Sequence, residues 1–136
     1  MRPTQLALTW LASLVAFLAI DLVWLGVVAR GFYRDRLGEL LRPDVNWTAA
    51  LIFYALYVAA VVFFAVLPAL ERGTLGRAVL LGALFGGIAY ATYDLTNLAT
   101  LRGFPTVVAL VDIAWGCVLT GCVAATGYLV ASRLGG

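Results

Sequence analysis

Residues 78–100 read AVLLGALFGGIAYATYDLTNLAT, an unbroken stretch whose one charged side chain is Asp94. At ~1.5 Å per residue a helix of this length runs about 34 Å, enough to cross the roughly 30 Å hydrocarbon core of a bilayer. Its first half carries Gly82 and Gly86 at small-xxx-small spacing, with Gly87 beside them, which lets a second helix approach closely. Packing within one chain is preferred to a seam between two copies. The second half places Tyr90, Asp94 and Asn97 on one helical face.

Three further apolar stretches flank this one. The four spans are read at about 5–29, 48–70, 78–100 and 107–132 within a single transmembrane domain covering 1–136. Pro3 and Thr4, Asn46 and Thr48, Gly73 and Thr74, and Pro105 with Thr106 mark the four starts. The first span is too long for a signal-peptide core, and bulky Trp24 and Leu25 stand where a cleavage site needs small residues, so it is expected in the mature protein. Short second and third connections make the last three spans antiparallel neighbours.

Segment 30–47 mixes Phe32, Tyr33, Leu37, Leu40 and Leu41 with Arg30, Arg34, Arg36, Glu39 and Arg42, the pattern of a short helix lying in the membrane interface. The expected fold is therefore all-α: an antiparallel bundle of four transmembrane helices with a short interfacial helix between the first two.

Composition narrows the function classes. Of 136 residues 64% are hydrophobic and 12% charged, against roughly 25% charged in a soluble domain. The basic residues are all arginines outside the spans, so the chain lacks the water-facing basic stripe of a nucleic-acid binder. There is no histidine, which removes the usual general base and the commonest transition-metal ligand. The sequence leaves any cofactor unknown, and no metal ligand is assigned. Cys117 and Cys122 are read as small packing residues.

Three carboxylates fall inside spans, and an aspartate near mid-bilayer costs at least ~2.5 kcal/mol unless it is paired, protonated or solvated. Measured from the face bearing the first and third connections, Asp21, Asp94 and Asp112 lie at depths of roughly 12, 9 and 8 Å. Trp24, Tyr54, Tyr57, Tyr90, Tyr93, Asn97 and Trp115 occupy the same layer. An aromatic belt with interhelical hydrogen bonds accounts for any one of these aromatics. The three aspartates together, with no basic residue in the spans to neutralise them, instead suggest a cation site, a proton relay or an acid–base pair.

Several stretches resemble a known family: Asp21-Leu22-Val23-Trp24-Leu25-Gly26, Phe53-Tyr54 to Tyr57, Leu67-Pro68-Ala69-Leu70, Tyr90-Ala91-Thr92-Tyr93-Asp94-Leu95-Thr96-Asn97-Leu98-Ala99, and Val111-Asp112-Ile113-Ala114-Trp115-Gly116. They are similar, along the whole chain, to predicted bacterial membrane proteins catalogued as domain of unknown function 2177. The resemblance implies a multi-pass protein of the bacterial inner membrane and supplies no activity. Arginine counts on the two faces are nearly tied, and the folded first connection tips the assignment towards cytoplasmic termini.

The leading functional expectation is a small membrane protein that binds a cation, or a cationic amphiphilic ligand, at Asp21, Trp24, Tyr54, Tyr57, Tyr90, Tyr93, Asp94, Asn97, Asp112 and Trp115. It would serve as a transporter component, with membrane lipids and further copies of itself as partners. The alternatives are an intramembrane lipid-modifying enzyme using aspartate acid–base chemistry or three carboxylates around a divalent ion, and an accessory scaffold subunit.

Overall fold

The computed structural model describes residues 1–29, 31–38, 41 and 46–135, and among them the chain is all-helical, with no strand. Helix α1 covers Pro3–Val28 and is followed by the short α2, Phe32–Leu37. Helices α3 (Trp47–Arg72), α4 (Leu75–Thr100) and α5 (Thr106–Gly135) complete the chain. The four long helices, of 26, 26, 26 and 30 residues, are each long and apolar enough to cross a membrane. They agree with the spans read from sequence to within three residues at every end.

The ends follow local chemistry. Pro3 occupies the first turn of α1, where its missing N–H has no partner to lose. The Asn46 side chain accepts the Ala49 N–H at 3.1 Å and so caps α3. Gly73 closes α3 in the left-handed region, φ 69°, with its N–H donating to the Ala69 carbonyl at 2.8 Å. Pro68 lies inside α3, where its ring crowds the carbonyl four residues back, that of Phe64. The wider π-helical turn at Val62–Val66 contains that carbonyl. A second π-helical turn, Trp24–Val28, ends α1.

Helix α5 is the hub. It packs most extensively against α4, next against α1, and also touches α3. The α4–α5 seam depends on missing side chains: a Cβ on Gly82 would stand 2.7 Å from both the Ala124 Cβ and the Thr120 carbonyl, and one on Gly86 would collide with Gly116 and Thr120. The small-residue face of α4 is thus spent inside the chain, as preferred from sequence. Across this seam Gly82 meets Ala124 and Gly86 meets Gly116, so residue numbers rise on one helix as they fall on the other. Thr9, Ser13 and Thr120 are buried with this apolar core. Outward positions such as Val27, Leu56 and Ile88 are exposed and apolar, the inverse of a water-soluble surface.

Helix α2 folds back onto the start of α5. Phe32, Tyr33 and Leu37 pack with Leu98 against the buried Phe104, Val108 and Ala109. Arg34 is exposed, and the Arg36 guanidinium stands 5.1 Å from the Phe32 ring centroid. Leu41, expected on the apolar side of this segment, is exposed. Arg30, Glu39, Leu40 and Arg42 lie outside the described residues.

Candidate functional site

The polar layer is assembled from all five helices. From α1, Asp21 accepts the Trp115 indole N–H of α5 at 3.1 Å. One turn on, the π-helical turn starts at Trp24, whose ring stacks on Trp115 with centroids 4.3 Å apart and planes 9° from parallel. Stacking and indole donation together lock the two tryptophans between α1 and α5.

Helix α2 supplies the residue that ties this arrangement together. The Tyr33 hydroxyl accepts the Trp24 indole N–H at 3.1 Å and donates to Asp112 Oδ1 at 2.9 Å. Burial pushes the Tyr33 phenol above its ordinary value; the Trp24 bond opposes this and the neighbouring Asp112 charge adds to it. Tyr33 was read from sequence only as an apolar member of the interfacial segment. Its role was hidden because nothing in the spacing says that α2 turns its tyrosine into the bundle.

The three carboxylates do not form one cage. The α4–α5 register that sets Gly82 at Ala124, Gly86 at Thr120 and Tyr90 at Gly116 places Asp94 opposite Asp112 one turn on, whereas Asp21 is bonded to Trp115. Among the described residues no group of three histidine, cysteine or acidic side chains is placed to hold a metal ion. That corrects the three-carboxylate divalent site considered from sequence. The rotation of α1 takes Asp21 to the tryptophan side of the layer.

Asp94 has the most unusual surroundings. It is 0% exposed, and neither carboxyl oxygen has a hydrogen-bond donor among the described residues. A lone ionised carboxylate in such a place is far from its hydrated free energy. Asn97, on the next turn, is half-buried.

The aromatic residues divide by role. Tyr57 bonds Thr120 Oγ1 at 2.7 Å, so its hydroxyl joins α3 to α5 and only its ring remains available. Tyr54 packs its ring on Phe17 at 5.4 Å and is half-buried. Tyr90 sits against Gly116 and faces the Tyr57 ring at 6.3 Å. Tyr93 is 60% exposed and meets Phe104 edge-on.

Helices α3 and α4 touch along Val62–Arg72 but hardly along Trp47–Val61. Between the splayed halves lies a cleft of about 400 Å³, lined by Phe53, Tyr57, Ala89, Tyr90, Tyr93 and Asp112. Five of these six residues are apolar or aromatic, and Asp112 is the one ionisable carboxyl. The exposed Phe53 and Tyr93 stand at its outer edge, so the opening faces the lipid side of the bundle. Such a surface can take a flat or branched apolar body and place a positive charge beside Asp112.

A family model described as a predicted membrane protein (DUF2177) matches residues 6–129 of the chain. No curated protein and no solved structure matches it.

Proposed function

The chain belongs to the DUF2177 family of predicted membrane proteins, and from that premise we propose that it binds an amphiphilic organic cation, admitted sideways from the lipid into the cleft between α3 and α4. The observation that carries this reading is the cleft's lining, aromatic on its walls with the Asp112 carboxyl among them. Each aromatic face within about 6 Å of a cation contributes roughly 0.5–2 kcal/mol, and Phe53, Tyr57, Tyr90 and Tyr93 offer four. Asp112 contributes charge, with its Oδ1 held by Tyr33 so that the carboxyl keeps its aim. In this reading the protein resides in the bacterial inner membrane, as its family resemblance implies, with α2 in the interface and both termini cytoplasmic. Transport along this route needs more helices than four and therefore a second copy.

The test uses the full chain in lipid nanodiscs and tetraphenylphosphonium as the probe, with triphenylphosphine oxide as a neutral comparator. The cation should bind and quench indole fluorescence, the comparator should bind at least tenfold more weakly, and Asp112→Asn should erase that difference. Asp112→Asn retains an acceptor for Tyr33, so its effect reports charge. Equal binding of cation and comparator, or a cation affinity indifferent to Asp112→Asn, would leave the protein a scaffold whose aspartates only join helices.

A further inference from the structure

We infer that each cationic ligand entering the cleft expels one proton from the Asp94–Asp112 carboxyl pair; this rests on the cleft reading above. The observation behind it is independent of the cleft: Asp94 is wholly buried, and both its oxygens lack a donor among the described residues. The helix register, with Gly86 at Thr120 and Tyr90 at Gly116, sets another carboxyl opposite it one turn on, that of Asp112. Two carboxylates in contact repel, and a hydrogen bond between them requires one proton.

Among the described residues nothing basic is placed to substitute for that proton. No arginine occurs between Pro3 and Ala29, Trp47 and Glu71, Ala78 and Thr100, or Pro105 and Ser132. The titratable groups around the pair are Tyr33 of α2, which bonds Asp112, Tyr57 of α3 with Tyr90 and Tyr93 of α4, which line the cleft with Asp112, and Asp21 of α1, which bonds Trp115 one turn from Asp112. Every one of them is neutral or negative.

The exchange balances as follows. In the free protein one proton lies between Asp94 and Asp112, and the pair carries one negative charge. A cation at the cleft wall of Asp112 supplies the positive charge that the proton supplied. The Asp94 O–H bond breaks, the proton passes to water at the α2 end of the bundle, and the Asp112 carboxylate then faces the cation with the Asp94 carboxylate behind it, outside the cleft lining. The net charge of the site is the same before and after, which spares it the cost of changing buried charge. No covalent bond of the ligand is made or broken.

The experiment measures tetraphenylphosphonium affinity and proton release together, in nanodiscs in weakly buffered solution with a pH-indicating dye. The wild-type protein should release about one proton per cation bound, and its affinity should fall about tenfold for each unit by which pH is lowered, as linkage requires. Asp94→Asn should keep binding but lose both the release and the pH slope, because an asparagine amide donates permanently to Asp112. Binding without proton release in the wild type would overturn the exchange and leave the cleft reading standing. Release that persists in Asp94→Asn would also overturn it, by placing the proton elsewhere. Failure of the wild type to bind the cation at all would overturn the cleft reading and the exchange with it. The wild-type slope alone decides the matter if the variant does not fold.

Discussion

Replacing Tyr33 by phenylalanine removes one hydroxyl and two hydrogen bonds, since that oxygen accepts from Trp24 at 3.1 Å and donates to Asp112 at 2.9 Å. A bond to a charged group contributes about 1.5–3 kcal/mol and a neutral one about 0.5–1.5. Tyr33 is half-buried, so water replaces part of what is lost, and a net loss of about 1–3 kcal/mol is the working figure. The phenylalanine ring preserves the apolar contacts with Phe104, Val108 and Ala109, so the loss falls on the attachment of α2 rather than on its packing. Hydrogen exchange in nanodiscs reads this directly. The amides of Asp35, which donates to Gly31, and of Gly38, which donates to Arg34, report the opening of α2. At tenfold per 1.4 kcal/mol these amides should exchange about 5- to 150-fold faster in Tyr33→Phe, while amides of the α5 hub stay unchanged. Less than a twofold change at α2 would show that the hydroxyl does not hold it. Acceleration spread over the whole chain would show that the substitution loosened the fold instead.

The Tyr33 phenol also gives a pH dependence. Its value is raised by folding, so the stability it contributes is fully present below the unfolded value of about 10 and is lost as pH climbs beyond it. Unfolding followed in nanodiscs should therefore show an alkaline destabilisation that shrinks in Tyr33→Phe; an identical profile would refute the assignment. At the helix seam, Gly86→Ala should destabilise by about 1–3 kcal/mol through overpacking against Gly116 and Thr120. Gly26→Ala, with nothing within 4 Å of the added carbon, should be neutral in the same thermal-unfolding assay. Equal effects would mean that α4 and α5 are not in close contact there.

What could be read without coordinates depended on whether one dimension sufficed. Hydropathy along the chain gives helix existence and ends, since spanning lipid requires an uninterrupted apolar run, and all four long helices were legible for that reason. Depth is also one-dimensional, and it put Asp21, Asp94, Asp112, Trp24 and Trp115 in one layer. Rotation about each axis is set by packing: it sends Asp21 to Trp115, leaves Tyr93 mostly exposed, and turns Asp94 towards Asp112 across the α4–α5 seam. The two π-helical turns shift that rotation by part of a turn and have no hydropathy signal. Tyr33 was the residue least accessible to such reasoning, because its partners Trp24 and Asp112 become neighbours only after α2 docks.

The central position of α5 has a bearing on how the protein is made. Of the four long helices it follows the others in the chain, yet Tyr57 bonds its Thr120, Asp21 its Trp115, and Gly82 and Gly86 close on its backbone. During synthesis the first three therefore enter the membrane with their polar groups and bare glycine face waiting for a partner still inside the ribosome or the insertion machinery. Asp94 is the extreme case, a carboxyl buried in the finished bundle whose helix is made before Asp112 has been translated. The nascent bundle is most vulnerable to membrane quality control in that interval, which ends when the fourth long helix is threaded between its predecessors.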